Sequence, residues 1–156
     1  MLPPDLPPAL LSHSSFLLAR LGIGCSQRFH RVLEPLGLKP KHFGILSYLD
    51  GSGAASQRTI AEALRIDPSL VVALLDVLEK LGAVSRQREA QDRRRMSVRV
   101  TDSGRKLLRR CRELAAQLNT EILAGLTEAE RSQLQGLLLK LAEVDRQFPS
   151  AGFPSR

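Results

Sequence analysis

Arginine is the residue type whose number and spacing could do chemistry in this sequence, and that chemistry is the binding of anions. Residues 86–112 hold ten arginines and one lysine against only Glu89, Asp92 and Asp102, a local charge of +8. The whole chain carries +7 with a pI near 10.2, so the remaining residues sum to −1. A guanidinium is planar, always protonated and weakly hydrated. It suits phosphates, and it suits a narrow minor groove where negative potential is concentrated. A basic patch on an otherwise near-neutral chain points to a polyanion surface, either nucleic acid or an anionic membrane.

Other chemistries find little support. There is no Gly-rich phosphate loop, nucleophile elbow or paired acid/base set, so an enzyme is not expected. His13, His30, His42 and Cys25 lack ligand spacings such as CxxC or HExxH, and neither a metal nor another cofactor is expected. Cys25 and Cys111 lie far apart inside helical patterns, which is poor material for a disulfide and fits a reducing cytoplasm. An oxidant-sensing thiol is the alternative for Cys25, although a free buried cysteine more often packs as a small apolar residue. No apolar run approaches the roughly 18–20 residues that span a bilayer, so no membrane association is expected. The start Met1-Leu2-Pro3-Pro4-Asp5 lacks the basic residues of a signal peptide, and a cytoplasmic location is expected. With 156 residues and 43% hydrophobic content, the chain is long enough for one domain with its own core.

The periodicity supplies a scaffold for these residues that is mainly α, with a small β-hairpin wing. The prolines among residues 1–8 predict an extended, flexible arm. Apolar residues at Leu10, Leu17, Leu18, Leu21, Cys25, Phe29, Val32 and Leu36 predict a helix over 9–34, stopped by Pro35 and Gly37. Pro40 opens a second helix that closes at Gly51-Ser52-Gly53. Ser56 caps a short third helix with Ile60, Ala61 and Leu64 on one face. Asp67 and Pro68 start a fourth, which runs to Leu81 and ends at Gly82. The short join between the third and fourth marks a helix-turn-helix. The period then changes. Residues 84–88 and 96–101 read as two strands around the polar loop 89–95, with Met96, Val98 and Val100 alternating against Ser97, Arg99 and Thr101. Thr101 caps a fifth helix carrying Leu107, Cys111, Leu114, Leu118 and Ile122, and Thr127-Glu128-Ala129-Glu130 is a capping box for a sixth. Residues 38–101 thus form a winged helix-turn-helix lobe within a single domain over 9–147, followed by a tail over 148–156. The helices over 9–36 and 102–147 carry apolar stripes beyond what such a lobe needs, and a homodimer is the simplest way to cover them.

Three stretches carry a family likeness. Asp92-Arg93-Arg94-Arg95-Met96-Ser97-Val98-Arg99-Val100-Thr101-Asp102-Ser103-Gly104 sets an Asp-x-Arg tip before a strand and a Thr-x-x-Gly. Leu78-Glu79-Lys80-Leu81-Gly82-Ala83-Val84 precedes it, and Leu33-Glu34-Pro35-Leu36-Gly37-Leu38 lies further upstream. In that order and spacing they resemble the wing, the recognition-helix end and the first interhelical link of the MarR family of bacterial transcriptional regulators, over about residues 10–147. The resemblance implies a homodimer that binds a pseudo-palindromic operator in double-stranded DNA, often as a repressor. It also implies release by a small phenolic or otherwise amphipathic ligand, or by an oxidant.

On this resemblance Asp92 braces the wing tip and Arg94 enters the minor groove, with Arg88, Arg93 and Arg95 beside it. The fourth helix enters the major groove with Pro68, Ser69, Leu70, Val72 and Ala73 foremost. Arg58 and Arg65 flank it as phosphate contacts, and Arg86 and Arg99 are further candidates. Along the fifth helix Lys106, Arg109, Arg110 and Arg112 extend the basic run on its outer side. Base edges are read best by Arg, Gln, Asn, Ser or Thr. Where the family often has Thr or Arg, this sequence has Val72, Ala73 and Val77. Three readings of that helix stay open: readout by shape and methyl contact, weak or broad specificity, or a protein-interaction module with weak DNA binding. A ligand pocket is implied where the first, second and fifth helices meet, walled by Phe16, His42, Leu46 and Cys111.

Overall fold

In the computed structural model the described residues are 7–88 and 96–147. The predicted arm up to residue 6, the wing tip 89–95 with Asp92, Arg93, Arg94 and Arg95, and the tail 148–156 lie outside the described residues.

The chain forms α1 (Pro8–Leu11), α2 (Ser14–Leu33), α3 (Pro40–Ser52), β1 (Ala54–Ala55), α4 (Gln57–Leu64), α5 (Pro68–Lys80), β2 (Val84–Arg88), β3 (Met96–Val100), α6 (Asp102–Ile122) and α7 (Glu128–Gln147). The single helix predicted over 9–34 is two. Ser12 Oγ donates to the Ala9 carbonyl at 2.8 Å and closes α1, and extended His13 (φ −101°, ψ 107°) lets α2 restart at Ser14. A 3-10 turn, Glu34–Leu36, follows α2, and Gly37 ends it in the left-handed region at φ 70°. Between α4 and α5 the left-handed position is held by Arg65 (φ 51°), a conformation that costs a non-glycine residue about 1 kcal/mol.

The predicted hairpin is part of a three-stranded antiparallel sheet of order β1-β3-β2. Val84 faces Val100 and Arg88 faces Met96, while Ala54 faces Arg99 and Ala55 faces Val98. The predicted alternation fails at the outer end of β3. Ser97 is buried and its hydroxyl donates to the Gln87 carbonyl at 3.4 Å, whereas Met96 is exposed.

Two compact units divide after Leu118. In the first, helical spacing turns Ile45, Leu46 and Leu49 of α3 inward, with Val71, Leu75 and Leu78 of α5. They form one core with Ile60, Val98 and Leu108. Each fully buried aliphatic side chain contributes about 1.5–3 kcal/mol. Along α2, Leu18, Leu21 and Ile23 are exposed. In the second unit Thr127 and Glu130 form the reciprocal box: the Thr127 amide donates to Glu130 Oε2 at 2.7 Å, and the Glu130 amide to Thr127 Oγ1 at 3.4 Å. Leu137, Leu138, Leu139 and Leu141 of α7 are exposed.

Candidate nucleic-acid interface

The helix-turn-helix is built from local caps. Ser56 Oγ accepts the Thr59 amide at 3.1 Å and starts α4. Asp67 accepts the amides of Ser69 at 2.8 Å and Leu70 at 3.3 Å, together with the Ser69 hydroxyl, and starts α5. These bonds to the ionised form hold the Asp67 carboxyl below the usual carboxylate range, the Ser69 hydroxyl contributing most. Because Val71, Leu74, Leu75 and Leu78 turn to the core, Pro68, Ser69, Leu70, Val72, Ala73 and Val77 are left on the exposed side. Leu70, Val72 and Val77 are 37%, 41% and 36% exposed, so the outer face of α5 is largely aliphatic between Ser69 at its start and Glu79 and Lys80 at its end.

The sheet is locked onto this helix by Thr101 and Gly104. Thr101 Oγ1 donates to the Gly82 carbonyl at 2.6 Å and accepts the Gly104 amide at 3.0 Å, capping α6. A Cβ on Gly104 would lie 1.9 Å from the Ala83 carbonyl oxygen and 2.8 Å from Val100 Cγ2. The Thr-x-x-Gly pattern is therefore a packing requirement: the helix start presses against the turn from α5 to β2.

Arg86, a phosphate candidate in the sequence, is otherwise engaged. Its Nη2 donates to Asp76 Oδ1 and its Nη1 to Glu79 Oε2, each at 2.6 Å, and Nη2 also approaches the Val72 carbonyl at 3.4 Å. Its side chain is only 18% exposed. Burial works against its charge, but the two carboxylates outweigh that and hold the proton more firmly than usual. Arg86 thus ties β2 to α5 and offsets one of the two carboxylate charges beside its aliphatic face. Sequence reasoning missed this partnership; Asp76 and Glu79, three apart and the two carboxylates of that helix, were its only signal.

Other arginines are more exposed. Arg88 and Arg99 are exposed and form no ion pair among the described residues. Arg58 holds Glu62 at 2.8 Å in a solvent-screened i,i+4 pair, easily exchanged for a phosphate. Arg65 is exposed at the turn. Arg58 and Arg99 share a cleft of about 660 Å³ between α4 and β3, with Tyr48, Ser56, Thr59 and Ser97 also on its walls. Along α6, Arg105 pairs with Asp102, Arg110 with Glu113, and Arg112 with Asp50 of α3 at 2.9 Å. Much of the basic run on that helix is thereby answered within the chain.

Of the four residues expected to wall a ligand pocket, Phe16 lines a groove and the other three are buried. Leu46 and Cys111 lie in the core, both 0% exposed. His42 is buried at the first turn of α3, where its Nδ1 accepts the Lys39 amide at 2.8 Å. Burial, and then the charge of Lys39, lower its affinity for a proton. Phe16 lines a groove of about 530 Å³ along α2 with Ala19, Arg20, Ile23, Gly24 and Gln27. Burial pushes the Cys111 thiol up, which disfavours the thiolate that reacts with oxidants. Cys25 is half-buried. No cluster able to hold a metal occurs among the described residues, and none of their helices is long and apolar enough to cross a membrane.

The sequence pattern of the MarR family matches residues 36–95, from the link before α3 to the wing. The HTH-type transcriptional regulator PecS of Dickeya dadantii (strain 3937) is 31% identical over 124 residues, covering 78% of this chain and 75% of PecS. The chain belongs to the MarR family. As a MarR-family protein it is a DNA-binding transcriptional regulator with a winged-helix fold, and not an enzyme. Solved MarR-family structures share the architecture. The transcriptional repressor CouR bound to a 23-mer DNA duplex superposes with a TM-score of 0.79 at 31% identity, covering 88% of this chain and 99% of that one. CouR from Rhodococcus jostii RHA1 bound to p-coumaroyl-CoA gives a TM-score of 0.72 at 26% identity, covering 94% and 96%.

Proposed function

We propose that this MarR-family regulator is a homodimeric repressor that grips a pseudo-palindromic operator and releases it on binding a small amphipathic ligand. The observation that carries this reading is the exposed outer face of α5, set beside wing strands that bear the exposed Arg88 and Arg99. Residues 38–101 act as the DNA-binding lobe, with α5 entering the major groove. Two copies read half-sites about one helical turn apart. Arg88 and Arg99, with Arg58 and Arg65, hold phosphates. On the family pattern Asp92 braces the wing loop and Arg94 enters the minor groove, with Arg93 and Arg95 as its neighbours in sequence. The regions 9–36 and 102–147 supply the dimer contacts, for which the uncovered Leu18, Leu21 and Ile23 of α2 and Leu137 to Leu139 of α7 provide apolar surface. Relatives lend support: CouR is a repressor solved on duplex DNA and with p-coumaroyl-CoA. The α2 groove, with apolar Phe16 and Ile23 beside Arg20, has the make-up of a site for an amphipathic anion.

The test is a mobility shift on the DNA upstream of the protein's own gene. Arg94→Ala is expected to weaken binding about tenfold; undiminished binding would contradict the wing assignment. Sedimentation at the same concentrations is expected to give the dimer mass for the wild type, and a monomer for Leu139→Asp. A monomeric wild type that binds DNA fully would remove the dimer.

A further inference from the structure

We infer that α5 selects its operator through the 5-methyl groups of thymine, with no hydrogen bonds from its outer face to base edges. This rests on the reading that α5 enters a major groove. The exposed face offers Leu70, Val72, Ala73 and Val77, none of which carries a side-chain donor or acceptor. The polar groups of the first turn are engaged within the chain, and the exposed Lys80 stands in the last turn, beyond these four residues. The Ser69 hydroxyl and the amides of Ser69 and Leu70 go to Asp67, and Pro68 has no amide hydrogen. Asp76 and Glu79, the carboxylates on this helix, are held by Arg86.

In the major groove every base pair presents donors and acceptors, but only thymine also presents a methyl. An aliphatic side chain over a polar edge strips its hydration without replacing it, whereas over a methyl it buries apolar area on both partners. The occupant is a duplex and not a protein helix because the apolar strip is narrow and rimmed by cations. Arg65 at the preceding turn and Arg88 on β2 are both exposed, where rows of phosphate would stand. Arg86 offsets one of the two carboxylate charges on this helix and holds both groups to one side. The preferred sites are therefore rich in A·T pairs under α5, with thymine methyls at the positions facing Leu70, Val72 and Val77.

Duplexes enriched from a random pool by the intact protein supply the probe. Thymidine is then replaced by deoxyuridine one position at a time, which deletes the methyl and leaves the hydrogen-bonding edge unchanged. Affinity is expected to fall about fourfold at each contacted position, the worth of one buried methyl. Leu70→Ala and Val72→Ala, both at exposed positions, are expected to bind the thymine duplex more weakly and to lose preference for it over its deoxyuridine counterpart at the facing position. Equal binding of thymine and deoxyuridine duplexes overturns the inference while leaving DNA binding intact. So does a thymine preference that survives in both variants. A pool from which no duplex is retained refutes the DNA-binding reading itself, and capture of a protein partner by α5 in its place would identify the competing occupant.

Discussion

The outer face of α5 and the wing strands beside it lie on one lobe and are both exposed, yet their chemistry is opposite. On α5 the side chains facing out between Ser69 and Glu79 are mostly aliphatic, and the polar groups of the first turn and the two carboxylates are held by Asp67 and Arg86. On β2 and β3, Arg88 and Arg99 stand without an ion-pair partner among the described residues. The contrast teaches that gripping a polyanion and choosing among sequences reside in different elements. A charged contact releases counterions and makes affinity depend on salt; a methyl contact does neither. Arg86 is where the two regions meet, a wing arginine committed to the helix.

The substitution with the largest expected effect removes both regions together. Gly104→Ala drives a Cβ into the Ala83 carbonyl and Val100, at the point where α6 fixes the turn between α5 and β2. It is expected to cost about 3 kcal/mol or more in urea denaturation and to abolish DNA binding. Arg86→Ala breaks the link while leaving both faces in place. It uncovers Asp76 and Glu79 beside the groove-facing side chains. A loss of about 1–2 kcal/mol of stability is expected, discounted for the half-exposed partners, with DNA binding weakened about tenfold. Stability and affinity both unchanged would refute the link. Arg88→Ala touches the wing alone and is expected to lower the log–log salt slope by about 0.9 with little change in stability.

The smallest expected effect comes from His42, beneath both regions. Its proton affinity is lowered by burial and then by Lys39, so the folded chain favours neutral imidazole. The unfolded chain takes up the proton first as pH falls. This contribution to stability is therefore complete above the ordinary value of 6.5 and is lost as pH drops below it toward the lower folded value. Thermal denaturation from neutral to mildly acidic pH is expected to show that decline in the wild type and a flatter profile in His42→Ala.

What was legible in the sequence is what local chemistry decides. The caps at Ser56, Asp67, Thr101 and Thr127 are interactions over two or three residues, and the helices they open begin where the residue types indicate. The buried face of α5 was not legible from period alone, because Leu70 to Leu75 are all apolar; its outward residues came from the family resemblance. The break at Ser12-His13 was hidden because the apolar stripe runs across it. Strand β1 was hidden because Ala54–Ala55 is too short to have a period, and its place is set by pairing with residues more than forty positions away. The engagement of Arg86 was hidden for the same reason: its carboxylates belong to another element. His42, Leu46 and Cys111 sit on inward faces, as their spacing implies. A period distinguishes inside from outside, however, and cannot distinguish core from cavity wall.

The division of labour between grip and readout is tested most directly by measuring affinity for one pool-selected duplex across a salt series, with wild type, Arg88→Ala and Val72→Ala. Arg88→Ala is expected to give a shallower slope, smaller by about 0.9, and Val72→Ala a parallel line displaced about fourfold to weaker binding. A changed slope for Val72→Ala, or a parallel line for Arg88→Ala, would contradict it.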